Sequence, residues 1–284
     1  MKNHWATPVS FEVYPPRSRE RLPELHASLL ELDWVSPDFI SVTFGAGGSS
    51  TKDSLAILAF IRDSTAATPL AHLTCVGSTT QEAKELVESF LAEGISDFLA
   101  LRGDLPEGTS EHHGELTHAT DLIELIRDIQ DAPSPAERVA VAAFPNGHPE
   151  SASLDEDVTT LLRKQDAGAT LAITQLFFYS SDYERFVEKC HSAGVSIPIL
   201  PGIMPITSLG RLERVLELTG EARPQDLALQ LSSAQDRSEQ EKVGIDWSAS
   251  MVQELVDMGA PGIHLYAFNQ HATVLSVLKQ AGIR

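Results

Sequence analysis

Cysteine, cationic side chains and long apolar runs are all scarce in this chain. Only Cys75 and Cys190 occur, both in apolar or helical surroundings, which argues against a disulfide framework and fits reduced thiols in the cytoplasm. Lysine and arginine number 21 against 40 acidic residues, a net charge of -19. Such a balance speaks against nucleic acid or an anionic membrane as partner. It leaves an anionic cofactor open, because helix N-termini and a few local cations suffice to bind one. No run approaches the roughly 18 apolar residues of a membrane span, and Met1-Lys2-Asn3-His4-Trp5 lacks the apolar core of a signal peptide. No His/Cys grouping has zinc-ligand spacing, and no serine sits in a nucleophile elbow.

What is present is a regular alternation. The chain has 284 residues, 42% of them hydrophobic, enough for a sizeable core. Short apolar runs at 9–14, 39–43, 70–75, 96–101, 138–144, 171–178, 197–200 and 262–268 read as strands. Between them, helical spacing appears at 17–32, 52–62, 81–93, 118–130, 155–166, 183–193, 209–218 and 247–258, and a last helix follows at 273–280. The polar stretch 221–242 reads as an irregular or helical excursion. Eight strands alternating with helices, without linker or composition shift, predict one α/β domain over 1–284, a (β/α)8 TIM barrel.

A barrel of this kind builds its site at the C-terminal ends of the strands, and polar residues collect there. Glu12 lies late in the first strand, Thr43 ends the second and His72 lies within the third. Arg102 and Asp104 end the fourth, His148 follows the fifth, and Gln175 interrupts the apolar sixth. Any one alone reads as a satisfied core residue or a rim salt bridge; six strands out of eight carrying one reads as an active site. Glu12 and Asp104 face each other across the expected mouth, where burial would raise one pKa and make it a proton donor. The loop Gly45-Ala46-Gly47-Gly48-Ser49-Ser50 could offer backbone N–H groups to a phosphate but fits no nucleotide fingerprint. Glu111-His112-His113 lacks metal-ligand spacing and reads as solvated. On these grounds an acid/base enzyme without a metal is expected.

Seven motifs, in order, resemble the bacterial 5,10-methylenetetrahydrofolate reductase family. They are Ser10-Phe11-Glu12-Val13-Tyr14-Pro15-Pro16-Arg17, Ser41-Val42-Thr43-Phe44-Gly45-Ala46, His72-Leu73-Thr74-Cys75 and Leu101-Arg102-Gly103-Asp104-Leu105-Pro106, then Ala142-Ala143-Phe144-Pro145 with Gly147-His148-Pro149-Glu150, Ala172-Ile173-Thr174-Gln175-Leu176-Phe177-Phe178, and Ile199-Leu200-Pro201-Gly202-Ile203-Met204-Pro205. The resemblance implies a flavin enzyme in which NADH or NADPH reduces FAD, and FAD reduces methylenetetrahydrofolate to 5-methyltetrahydrofolate, feeding methionine synthesis. It implies Glu12 as the general acid that protonates the folate's bridging nitrogen. It makes Asp104 the carboxylate beside flavin and folate that stabilises the cationic iminium, and Gln175 a folate-binding amide. Thr43, His72, Arg102, Gly103, Asp104, Ala119, Phe144, His148, Asp157 and Lys164 match flavin-contacting positions.

Some positions depart from the pattern. Phe144 stands where the family often has tyrosine, Val215 where an aromatic can cover the bound ligand, and Leu265-Tyr266-Ala267-Phe268-Asn269-Gln270 replaces the usual ending. These bear on flavin affinity, reductant preference and subunit contacts, including those of a homo-oligomer. No regulatory domain follows the barrel in this sequence, so S-adenosylmethionine control is not expected. The residues alone also admit a same-fold reductase with direct hydride transfer, a lyase or aldolase barrel, and a non-catalytic folate binder. The lack of a strand-borne lysine speaks against a Schiff-base aldolase, and retention of both carboxylates speaks against mere binding.

Overall fold

The computed structural model describes residues 7–16, 18–43, 51–103, 114–129 and 136–283. The first half alternates strictly, as β1 (Val9–Val13), α1 (Leu22–Asp33), β2 (Phe39–Val42), α2 (Thr51–Ser64), β3 (Thr68–Thr74), α3 (Thr80–Ala92), β4 (Asp97–Leu101) and α4 (Ala119–Asp128). The alternation continues with β5 (Arg138–Ala143), α5 (Leu154–Asp166), β6 (Leu171–Thr174), α6 (Ser180–Ser192), β7 (Ile199–Leu200) and β8 (Gly202–Ile203). Three helices, α7 (Leu209–Thr219), α8 (Gln225–Ser233) and α9 (Arg237–Asp257), then precede β9 (Ile263–Tyr266) and α10 (His271–Gln280). Among the described residues no helix is long and apolar enough to cross a membrane.

All strand pairings are parallel, in the order β7-β6-β5-β4-β3-β2-β1-β9-β8. The two ends of that order are one stretch of chain. β7 pairs with β6 at Ala172↔Ile199, and β8 pairs with β9 at Gly202↔His264. Pro201 between them has no N–H to give, yet its carbonyl accepts from His264 N at 3.0 Å. The expected seventh strand is therefore split at its proline, and the eight-position barrel closes across it.

Alternation along each strand separates two cores. One set of side chains, including Phe11, Val13, Ile40, Val42, Leu73, Phe98 and Val141, packs outward beneath the helices. The other fills the barrel with Phe39, Leu70, Leu99, Ala140, Leu171, Ile173 and Leu200. One expectation is revised, and one stated alternative is borne out. The sixth strand ends at Thr174 rather than 178, because Leu176 and Phe178 turn away to pack with Ile206, Leu212 and Leu231 in a separate cluster. The 221–242 excursion is helical: α8 fills part of it, and Asp236 caps α9 by accepting from Glu239 N. Gly244 lets α9 lie against the chain after β8, since a Cβ there would come within 2.2 Å of Ile206 O.

At the N-terminal end of the barrel Arg138 bridges Asp38 (3.1 Å) and Asp97 (3.4 Å) and lies over the Phe39 ring. Burial raises the pKa of Asp97 to about 6, only partly offset by Arg138. Between the ordinary value of 3.8 and about 6, the folded protein keeps a proton that the unfolded chain has released, so stability falls as pH rises across that window. Urea unfolding should show the wild type losing about 2–3 kcal/mol relative to Asp97→Asn between pH 4 and pH 6.5. Parallel pH dependences of the two proteins would contradict the burial.

Candidate active site

The inward positions of β9, β1, β2 and β3 carry polar groups at the C-terminal end. Glu12 is central. Its Oε1 accepts from Thr43 Oγ1 at 3.0 Å. Its Oε2 lies 3.6 Å from His72 Nε2 and 3.8 Å from His264 Nε2. Both imidazole nitrogens are buried and have no hydrogen-bond partner among the described residues, so each is aimed at the carboxylate from just beyond bonding distance. His264 Nδ1 meets Ser10 Oγ at 2.9 Å on its other side. The Tyr266 ring stands edge-on to His264, and its hydroxyl donates to Thr174 O at 2.8 Å.

Burial is the largest influence on the Glu12 carboxyl and raises its pKa, but His72, His264 and the Thr43 hydroxyl together outweigh it. Glu12 thus lies below its ordinary value in the ligand-free protein, the reverse of the expected rise. His72 is also lowered, first by burial, with Glu12 pulling upward and His264 downward. Burial, assisted by the Glu12 charge, raises the Tyr266 phenol. With a fifth of the Glu12 side chain exposed, a ring laid over the mouth would desolvate it further and favour its protonated form.

Cations gather on the far side of the barrel, at β4 and β5. Arg102 makes a two-pronged pair with Glu150, at 2.5 and 2.9 Å. Gly103 follows with φ +90°, and a Cβ on it would come within 2.8 Å of Val76 Cγ1, so the turn takes no larger residue. His148 Nδ1 accepts from Glu150 N at 3.1 Å, which leaves the proton on Nε2, and Phe144 meets the ring edge-on at 4.7 Å. Asp157 is buried and accepts from His148 N and Ser151 Oγ. It is therefore part of the loop's scaffold. Lys164 Nζ donates to Ala142 O at 2.9 Å. Burial brings its pKa down to about 8, with Asp157 opposing and Arg102 adding to the fall. Ala119 opens α4 and is buried.

Gln175 lies just past β6. Its Oε1 accepts from Leu176 N at 2.9 Å. Val215 is buried in the cluster around Leu212 and Leu227. Asp104, the loop 45–50 and the Glu111-His112-His113 cluster lie outside the described residues. Among the described residues, no cluster of His, Cys, Asp and Glu is arranged to hold a metal ion.

This geometry can be set beside known proteins. The family model for methylenetetrahydrofolate reductase matches residues 2–282. The chain belongs to that family. It is 34% identical to the 5,10-methylenetetrahydrofolate reductase of Escherichia coli (strain K12) over 277 residues, 97% of this chain and 91% of that protein. It is 32% identical to the corresponding enzyme of Buchnera aphidicola subsp. Schizaphis graminum, covering 96% of this chain and 91% of that one. The probable methylenetetrahydrofolate reductase (NADPH) of Caenorhabditis elegans matches at 32%, but there the chain spans 42% of the relative's length. Among solved structures, a Clostridium thermocellum protein described as binding two copies of 5-methyl-5,6,7,8-tetrahydrofolic acid superposes with a TM-score of 0.68, covering 98% of this chain and 95% of that one at 14% identity. That likeness bears on the fold alone, and it agrees with the barrel.

The motif-based recognition, the barrel and the oxidoreductase family are thus borne out. Sequence reasoning missed His264, Ser10 and Tyr266. The signal was available: two polar residues two apart in the last strand, and Ser10 two before Glu12, share the inward face by simple alternation.

Proposed function

We propose that the protein reduces 5,10-methylenetetrahydrofolate to 5-methyltetrahydrofolate with NADH or NADPH, the two substrates reacting in turn through FAD, in the cytoplasm and in the service of methionine synthesis. The observation that carries this reading is the Glu12 carboxyl set between two unpartnered imidazole nitrogens at the mouth of a barrel of this family. Glu12, desolvated by the bound substrate and so protonated from water as the mouth is covered, gives that proton to the bridging nitrogen and opens the five-membered ring. Asp104 offers the charge that steadies the resulting cation. Gln175 donates to the pterin edge through its amide.

The β4–β5 side fits a dinucleotide. In a protein of charge -19, it holds Arg102, the Nε2–H of His148 and the buried ammonium of Lys164 together, and Gly103 keeps the rim open. Arg102 must exchange Glu150 for the incoming phosphate; the Glu150 side chain is 58% exposed, so releasing it to water costs little. Bound FAD would supply a two-electron carrier between reductant and folate. Thr43 and His72 line the approach between that side and Glu12.

An anaerobic visible spectrum of the purified protein tests the reading. A flavin band that bleaches with NADH and returns on adding methylenetetrahydrofolate is the expected result. A colourless protein that consumes NADH only with the folate present would replace the flavin step by direct hydride transfer. No signal with added FAD would overturn the function.

A further inference from the structure

Between α9, α8 and the start of α6 the fold leaves a cavity of about 380 Å³, lined by no residue of the site above. Its long side is α9. Asp246, Ser250 and Glu254 line it at four-residue spacing, so they share one row of that helix, and Trp247 and Met251 form the row beside it. Asp246 and Glu254 are the first and last residues of α9 to line the cavity, and they stand about 12 Å apart along the helix axis. Phe178 and Tyr179 face them, and Phe178 and Met251 are buried. The Trp247 and Tyr179 rings stand at 72° with their centres 6.0 Å apart. Trp247 Nε1 donates to Phe178 O at 3.2 Å. That bond fixes the indole and spends its one donor, so what it can offer a ligand is its π face.

Charge at this cavity has one sign. Among the described residues no lysine, arginine or histidine lines it. Asp246 accepts from Gln280 Nε2 at 2.8 Å, and Glu254 accepts from Ser180 Oγ at 2.5 Å. Among the described residues neither carboxylate pairs with a cation, whereas Asp182 and Glu217 on other helices pair with Arg185 and Arg214. Burial, then Asp226 and Asp182, raises the Tyr179 phenol, so the negative field reaches the aromatic wall. An anion is disfavoured here. The first turn of α6 opens on the cavity at Ser180, but Glu254 already answers the positive end of that helix.

We propose that this cavity binds a linear aliphatic polyamine, with one ammonium at Asp246, another at Glu254 and the methylene chain laid across Trp247 between them. Each part of such a ligand has its match. A carboxylate has room for several donors, and each of these two spends one bond on the protein, so an ammonium gains a charge-assisted hydrogen bond at either end. The indole face attracts a cation and packs against the alkyl segment. The spacing of about 12 Å selects for length, which a compact divalent ion lacks. A cavity of about 380 Å³ lies at the small end of ligand sites, and a free amine fits it better than a segment of another protein. The inference does not depend on the function proposed above, because the site shares no residue with the barrel mouth.

Isothermal titration calorimetry of the purified protein with spermidine tests the site. One spermidine per chain is expected, and Asp246→Asn and Glu254→Gln should each weaken binding about tenfold. The amides keep the oxygens that accept from Gln280 and Ser180, so neither change disturbs the wall. Glu88→Gln, an exposed carboxylate on α3, should bind as the wild type does. Diaminopropane, too short to reach from one carboxylate to the other, should bind the wild type about tenfold more weakly than spermidine. Equal affinities in the wild type, Asp246→Asn and Glu254→Gln would overturn the proposal, leaving only the general attraction of a chain of charge -19 for polycations. Diaminopropane binding as tightly as spermidine would overturn it too, by removing the selection for length. So would an oligolysine peptide that binds where spermidine does not, which would make the cavity a docking groove for a basic protein segment.

Discussion

Glu12→Gln should lose about 10²- to 10⁴-fold in the reduction of methylenetetrahydrofolate, while reduction of bound flavin by NADH changes by no more than a few-fold. The amide is close in shape and still accepts from Thr43 Oγ1, which now meets Glu12 Oε1 at 3.0 Å. It cannot carry the transferable proton. The pair His72 and His264 remains, but both side chains are buried, so neither is placed to meet the substrate in its stead. Rapid-mixing measurements of the two half-reactions separate the outcomes. Equal loss in both would show that Glu12 holds the site together and does not deliver a proton. Undiminished folate reduction would move the acid elsewhere, with Asp104 the first candidate. The ligand-free state sharpens the point. Because the imidazoles and Thr43 hold Glu12 below its ordinary pKa, a Glu12 that acts as the acid would become competent only when substrate covers it. Folate reduction should therefore depend on closure of the mouth, and hydride delivery to the flavin should not.

The fold was legible because its strands are short apolar runs set off by Gly, Pro and helical spacing, and such punctuation depends on local chemistry. The same is true of Glu12, Thr43 and His72, polar residues in strands that otherwise exclude them; the structure brings these three together. What was not legible depended on partners distant in sequence. Whether burial or neighbouring charge would control Glu12 could not be read without His264, which lies 252 positions away by the numbering and meets the carboxylate only because β9 pairs with β1. The burial of Asp157 was not legible either, since its helix is polar; it comes from the loop of His148 and Ser151 folding over it. Composition alone left the segment 221–242 open between irregular and helical, whereas Asp236 and the close approach at Gly244 make it helix against barrel. The apolar run 197–200 ended before Pro201. That proline is the place where the ring closes.

That closure predicts a large stability effect of a single methyl group. Gly202 has no left-handed backbone to excuse it; what it needs is space. A Cβ there would sit 2.3 Å from Thr174 O and 2.9 Å from both Cε2 and the hydroxyl of Tyr266. The carbonyl cannot retreat easily, because it accepts the Tyr266 hydroxyl at 2.8 Å while the Thr174 side chain holds Gly202 N at 2.8 Å. Gly202→Ala must therefore part β8 from β6 or displace Tyr266, at about 3 kcal/mol or more, lowering Tm by roughly 5 °C or more. Because Tyr266 stands against His264, turnover should fall with it. Gly210→Ala is the control. It lies in the first turn of α7 with nothing within 4 Å of its added Cβ, and helix propensity alone should leave it unchanged or up to about 1 kcal/mol more stable. Calorimetry on the two variants decides the matter: matching Tm values would mean that the seam at Gly202 has room, and that Pro201, not the close contact, sets where the barrel closes.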